Sequence, residues 1–307
     1  MILGEPIILG GGGGIACVVI ITTDPSAVVT CSLGNTSISK TANADGKAVF
    51  ELKKAGVWTI TASLNGETVS KEIDTSLALE TELTFADPIL ENNTWEQISK
   101  IARSGKASTI WNVGDTKTFM FQTKVCHAQI IGFDHDDVSD PTSYGREKAG
   151  ITFQLVELPA NEIYMNSSMD TETNSYINSL VRSTLVSYFN SYIDSTAKNY
   201  IVKVNKDYEP SRKTTAISQE NLFLLSEAEY TGTKSLGANI LGTQYPYWAA
   251  GNSRIKYKVS TGTAYSHWTR NRGTESEEDF VYIKTDGTFR QYGSHSSTNC
   301  CPFAFCL

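Results

Sequence analysis

The sequence predicts a multidomain chain: an N-terminal all-β sandwich followed by a larger C-terminal α+β domain. Three observations carry this. At 307 residues there is room for two hydrophobic cores. Residues 15–78 hold only short runs rich in Val, Ile, Thr and aromatics, punctuated by turn residues. Beyond residue 93, helix-period patterns alternate with strand-like runs, and the chain closes on an apolar segment.

Residues 1–14 form the first segment. Ile7-Ile8-Leu9 is apolar, and Gly10 to Gly14 is a run of five glycines. Such a run has no preferred backbone well and works as a joint. It either hinges a docked N-terminal peptide to the rest or is a disordered leader. The opening residues lack a basic region and a small-residue cleavage site, so no secretory signal is expected and folding in the cytoplasm is.

In residues 15–78 the strand-like runs are Ala16–Thr23, Ala27–Leu33, Lys47–Leu52, Trp58–Leu64 and Thr68–Ile73. Asp24-Pro25, Gly34-Asn35, Ala44-Asp45-Gly46, Ala55-Gly56 and Asn65-Gly66 separate them. Short strands at this spacing make a small sandwich. Residues 79–93 are expected to be a linker.

The C-terminal domain is expected over residues 94–307. Thr94 followed by Gln97 is a capping-box pattern, with Trp95, Ile98, Ile101 and Ala102 on one face and Gly105 as a stop. Strand-like runs follow at Trp111–Val113, Thr116–Gln122, Ala128–Phe133, Gly150–Leu158, Tyr200–Val204 and Asn221–Leu225. The strongest amphipathic helix spans about Ser175 to Ile193, through Tyr176, Ile177, Leu180, Val181, Leu185, Tyr188, Phe189 and Ile193. Gly-rich loops from Gly232 to Gly251 carry Tyr245, Tyr247 and Trp248, as core filler or as an exposed patch. From Ala264 to Leu307, Trp268, Phe280, Ile283, Phe289, Phe303, Phe305 and Leu307 anchor long polar stretches. Asp286-Gly287 signals a hairpin.

Composition excludes several functions. The net charge of −7 and the lack of a basic stripe argue against nucleic acid. No apolar run is long enough to insert in a membrane. The six cysteines include no CxxC and the four histidines are scattered, so buried free thiols are expected rather than zinc. Asp134-His135-Asp136-Asp137 is the one place to look for an ion. Consecutive strand residues point to opposite faces, so a solvated turn is the expectation there. No cofactor is expected.

Two resemblances add to this. Thr41 to Phe50, Gly56-Val-Trp-Thr-Ile-Thr-Ala and Asn65-Gly66-Glu67 resemble carboxypeptidase-regulatory-like and Ig-like modules, which serve as spacers. Several phrases in order resemble the domain called DUF6273, found in tail-associated phage proteins. They are Trp111-Asn-Val-Gly-Asp-Thr-Lys, Ile130-Ile-Gly-Phe-Asp-His, Met165-Asn-Ser-Ser, Asn221-Leu-Phe-Leu-Leu-Ser-Glu-Ala-Glu, Gly242-Thr-Gln-Tyr, Trp268-Thr-Arg, Asp286-Gly and Pro302-Phe-Ala-Phe-Cys-Leu. That resemblance, from about Leu83 to the end, implies a fold like C-type lectins and formylglycine-generating enzymes. It also implies kinship with variable proteins that diversity-generating retroelements diversify. The lectin calcium motifs are absent, and Cys300-Cys301 do not match the paired reactive cysteines of the enzymes.

The resulting expectation is a phage tail or baseplate-tip protein, made in the host cytoplasm and carried on the virion, that is not an enzyme. It would bind a host cell-surface receptor, protein or glycan, dock other tail proteins through residues 1–14, and assemble as a homotrimer. Trp268, Arg270, Phe280, Ile283, Gly287, Phe289 and 302–307 would be frame. The expected ligand-binding residues are Tyr265, His267, Asn271, Arg272, Thr274, Glu275, Arg290, Gln291, Tyr292, Ser294, His295, Ser297 and Asn299, because Tyr and Arg are hot-spot types and Ser, Thr and Asn supply adaptable hydrogen bonds. The alternatives are a structural virion protein or a cell-wall glycan-degrading enzyme, for which Glu275, Glu277, Glu278 and Asp279 offer carboxylates.

Overall fold

The computed structural model describes residues 17–82, 86–158, 162–166 and 175–307. The proposed attachment segment and glycine joint of residues 1–14 lie outside them. The chain divides into two units between Ala86 and Asp87.

The N-terminal unit has seven strands: β1 (Cys17–Thr22), β2 (Val28–Leu33), β3 (Thr36–Thr41), β4 (Lys47–Leu52), β5 (Val57–Leu64), β6 (Glu67–Asp74) and β7 (Glu80–Glu82). They form a sheet of order β4-β1-β7 and another of order β3-β2-β5-β6. Strand side chains alternate between faces. Val19 and Ile21 on β1, Phe50 and Leu52 on β4, Val29 and Cys31 on β2, and Trp58 and Ile60 on β5 therefore meet in one buried core. The Trp58 indole donates to the Lys54 carbonyl at 3.1 Å, so burial leaves no orphan donor. β3 is a strand the alternation missed, since Thr36–Thr41 is nearly all exposed. Glu80–Glu82, expected within the linker, pairs parallel to β1.

The outward face of the four-stranded sheet is regular. Reading across β3, β2, β5 and β6, one row is Thr41, Val28, Ser63 and Thr68. The next is Ser39, Thr30, Thr61 and Ser70, and the third is Ser37, Ser32, Thr59 and Glu72.

The second unit begins with a 3-10 turn at Leu90–Asn92 and helix α1 (Trp95–Ser104). The capping box forms as the sequence signals. Gln97 N–H donates to the Thr94 hydroxyl at 3.2 Å, Thr94 N–H donates to the Gln97 side chain at 2.8 Å, and Gly105 ends the helix at φ 75°. Short helices α2 (Ala107–Ile110) and α3 (Pro141–Tyr144) follow around β8 (Thr116–Phe121) and β9 (Lys124–Phe133). Trp111–Val113 is not a strand. Trp111 caps α2, and its buried indole donates to the Asp87 carbonyl at 3.0 Å.

β10 (Ile151–Leu155) and the chain's last strand complete a sheet whose order is last strand, β10, β9, β8. Between them come β11 (Ile163–Tyr164), α4 (Leu180–Ser191), α5 (Ser195–Lys198), the hairpin β12 (Val204–Ser211) and β13 (Thr214–Glu220), α6 (Glu227–Thr231) and α7 (Pro246–Ala249). Next are β14 (Lys256–Tyr257), β15 (Ala264–Tyr265), β16 (His267–Arg272), β17 (Asp279–Ile283), β18 (Phe289–Gly293), β19 (Thr298–Asn299) and β20 (Ala304–Cys306), the last strand. α4 is shorter than its hydrophobic pattern because the Ser179 hydroxyl accepts from Arg182 N–H and starts the helix there. Within Asn221–Leu225, Leu222 to Leu225 are buried, but the run makes only a bridge at Phe223 to Ala304.

The apolar end is the core. Phe305 stacks on Phe119 at 5.1 Å and on Phe153 at 5.4 Å, while Phe303 packs near Phe121 and Tyr188. Burying one such ring is worth about 1.5–3 kcal/mol. Tyr245 and Trp248 are core, in a cluster with Ile131, Leu225, Tyr230 and Ile283. Among the described residues no helix is long and apolar enough to cross a membrane.

Candidate functional site

The anchors of the last forty residues hold the frame of a face. β16 pairs with β17, and β17 with β18, through the hairpin turn where Gly287 has φ 81°. Alternation puts Val281, Ile283 and Phe289 toward the core, and Tyr282, Arg290 and Tyr292 on the opposite side. Trp268 is the peg of that side. It lies 5.8 Å from the Tyr282 ring, and its indole donates to the Ile163 carbonyl at 2.9 Å. This brings β11 alongside, paired with β19, so that exposed Tyr164 sits beside Thr298.

At one margin the Lys258 ammonium stands 3.7 Å over the Tyr265 ring and is paired with Glu162 at 2.7 Å. The Tyr265 hydroxyl donates to the same carboxylate at 3.0 Å. The side of the sheet that carries Trp268 thus holds Tyr282, Arg290 and Tyr292, with Tyr265 at its margin and Tyr164 exposed on β11.

The sequence-predicted site residues divide. Thr274, Glu275, Arg290 and Tyr292 are exposed, and Tyr265, Gln291, His295 and Ser297 are half-buried. Gln291 works inward: it accepts from Thr274 N–H at 2.7 Å and holds the 273–278 loop down. Gly273 is required there, because a Cβ would lie 2.6 Å from the Gln291 oxygen.

His267, Asn271, Arg272, Ser294 and Asn299 are buried, which corrects the expectation that they line the surface. Every residue of β16 is buried, because other elements cover both of its faces. Asn271 accepts from Glu227 N–H at 2.7 Å and donates to the Asn239 carbonyl at 3.1 Å. Arg272 pairs with Glu277 at 2.7 Å, and its own N–H donates to buried Glu209 at 2.6 Å. Burial and the nearby Lys256 ammonium push His267 down to about 3, so it is neutral. Asn299 accepts from Ser266, and the Ser294 carbonyl accepts from Asn166 N–H at 3.2 Å. The side chains of Asn271, Arg272 and Asn299 fasten the frame rather than display it.

Tyr164, Glu162, Lys258 and Tyr282 were missed. They lie outside the polar stretches or between them, and no local pattern joins residue 164 to residue 298.

Beneath the frame runs a chain of alternating charges. Lys206 pairs with Asp136 at 2.7 Å and with Glu229 at 2.5 Å, and Glu229 also takes a two-pronged contact from Arg270, at 2.8 Å on one side. All four are nearly inaccessible. Burial opposes ionisation of Asp136, but Lys206 outweighs it and holds the carboxyl well below the usual range. Burial likewise opposes charge on Lys206, yet Asp136 and Glu229 raise its pKa. The Tyr245 hydroxyl donates to Asp136 at 2.8 Å, as does Thr152 at 2.5 Å.

The Asp134–Asp137 run is therefore not wholly a solvated turn. Asp134 pairs with Arg146 and Asp137 with Lys148 near the surface, while Asp136 turns inward. Among the described residues no three His, Cys, Asp or Glu side chains are grouped to share a metal ion. A cleft of about 250 Å³ opens above the array, between His135, Asn205, Asp207 and Thr243. The Ser226-x-x-Glu229 spacing could have found part of this array, because it is a capping-box signature and the box forms.

The thiols are not poised for chemistry. All six cysteines are buried. Burial pushes Cys300 up to about 12 and Cys301 higher still; burial and Asp136 push up Cys306. Glu277, hydrogen-bonded by Arg212 and beside Arg272, is held below the ordinary carboxyl range.

These features define a β-rich two-unit protein with a tyrosine-bearing polar face on a closed frame. The family model for the domain of unknown function DUF6273 matches residues 153–307, half of the chain, and the protein belongs to that family. The match begins at β10 rather than near Leu83. No curated protein and no solved structure matches the chain.

Proposed function

We propose that this chain is a recognition protein of a phage tail or baseplate tip, with the face around Trp268 as its receptor-binding surface. The observation that carries this is the contrast within residues 264–299. Arg290 and Tyr292 stand exposed on an edge strand, and Tyr164 is exposed on β11, while the polar residues of β16 behind the sheet's surface are buried. Rigid tyrosines offer large contact area at small entropic cost, and Arg, His and Ser supply directional bonds.

The C-terminal unit is then a C-type-lectin-like display domain, and the N-terminal unit an Ig-like spacer. Support for the spacer reading is its pair of packed three- and four-stranded sheets, with the last strand parallel to the first. Weak single contacts would gain strength from several copies on a virion, such as a homotrimer, by roughly 10²–10⁴. The raised thiols and the arginine-bound Glu277 support a non-enzymatic reading.

The test is binding of the purified full chain to host cells, with the variant Tyr164→Ala/Arg290→Ala/Tyr292→Ala. A loss of ten-fold or more with an unchanged melting temperature is expected. Undiminished binding by a folded variant would move the site elsewhere.

A further inference from the structure

We propose that the outer face of the N-terminal four-stranded sheet is a second binding surface, for an extended neutral polysaccharide. It is separate from the face around Trp268, and it does not depend on the function proposed above. The three cross-strand rows described earlier hold twelve positions, and ten of them are Ser or Thr. Glu72 is the one charge and Val28 the one apolar residue in those rows.

Ordinary strand preference favours Thr on such a face but also brings Lys and Glu. The other sheet of the same unit shows that mixture outward: Val18, Lys47, Val49 and Glu51. The hydroxyl rows are thus particular to one sheet.

The hydroxyls are ordered by each other. Thr30 and Ser39 are bonded at 2.8 Å, Thr61 and Ser70 at 2.9 Å, and Ser63 and Thr68 at 3.1 Å. In each pair one hydroxyl donates to the other, which leaves one proton and several lone pairs facing outward. Within a row the hydroxyls recur about every 4.8 Å across strands, and the rows lie about 6.8 Å apart along them, on the scale of a sugar unit. Threonine methyls, with Val28 and Val57 both about half exposed, supply small apolar patches for sugar C–H groups.

Charge selects the occupant. The rows carry no Lys or Arg, so phosphates and anionic polymers find no counter-charge. A neutral polymer dense in hydroxyls can satisfy both the donors and the acceptors.

The probe is sedimentation of the full chain with cellulose and chitin particles. Retention on at least one of them is expected, unchanged in 1 M NaCl and unchanged in Arg290→Ala/Tyr292→Ala, which separates this face from the C-terminal one. Thr30→Val/Thr61→Val keeps shape and strand preference while removing the central hydroxyls, and should weaken retention at least ten-fold. Ser39→Lys/Ser70→Lys, at exposed edge positions, should do the same should the first pair fail to fold. No retention of the parent chain, or retention equal to the parent in either folded variant, overturns the proposal.

Discussion

Replacing Lys206 with Met tests the energetics of the frame directly. The side chain is almost wholly buried, and its ammonium is shared between Asp136 at 2.7 Å and Glu229 at 2.5 Å, with the Tyr245 hydroxyl at 3.2 Å. Methionine fits the volume but leaves Asp136 without its ammonium partner, while Glu229 keeps the Arg270 guanidinium. Breaking a buried pair by removing one partner costs about 3–5 kcal/mol. For a unit of this size that is about 6–20 °C in melting temperature.

The pH dependence has a definite sign. In the parent, Asp136 and Glu229 have folded pKa values below their ordinary 3.8 and 4.5, so the stability they give is present above that range and is lost as pH falls below it through the lower folded values. Without Lys206, burial dominates and the Asp136 carboxyl rises. The penalty of the variant is then largest at neutral pH and shrinks toward pH 4. Adding Asp136→Asn should recover part of it, a coupling that a double-mutant cycle reads from denaturant titrations. A Lys206→Met chain within 1 kcal/mol of the parent at pH 7, with no recovery on adding Asp136→Asn, would refute the reasoning that the array acts as a buried, coupled charge network.

Other outcomes are equally specific. Lys256 is buried, and burial lowers it to about 7 from 10.5, so the unfolded chain binds its proton more tightly between those values and stability rises with pH across that window. Lys256→Met should therefore gain about 2–4 kcal/mol at pH 6 relative to its effect at pH 10, and a flat difference would show that the ammonium is solvated. Gly150→Ala should destabilise by about 1–3 kcal/mol or more, since its Cβ would lie 2.1 Å from the Ala102 carbonyl oxygen; a normal melting curve would contradict that packing. Thr94→Ala should cost about 1 kcal/mol by removing the capping box. Thiol reagents at pH 8 should leave Cys300, Cys301 and Cys306 unmodified until denaturant is added, and fast labelling of the folded chain would contradict their burial.

Much of the fold is written in local chemistry. Thr94–Gln97, Asp286-Gly287 and the alternation of β1, β2, β4 and β5 each specify their element within a few residues. The site was less legible because polarity along the chain was taken for exposure. In β16, His267 to Arg272 look like a surface run, but Arg270, Asn271 and Arg272 meet partners tens of residues away, at Glu229, Glu227 and Glu209. Burial by long-range pairing leaves no mark in a short window. The same holds for Tyr164, whose place on the face depends on the pairing of Ile163–Tyr164 with Thr298–Asn299.

The fully enclosed strand β16 has a consequence for mutational tolerance. Two stretches of one chain, some twenty residues apart, should respond to random substitution in opposite ways. At residues 267–272 nearly every change strands a buried partner, so variants there fail to fold. At Arg290, Tyr292 and residues 295–297, changes touch water on one side and should cost within about 0.5 kcal/mol each. A library confined to the second stretch would alter what the surface presents while leaving the molecule that carries it intact. A library placed in the first would be read mainly as loss of protein.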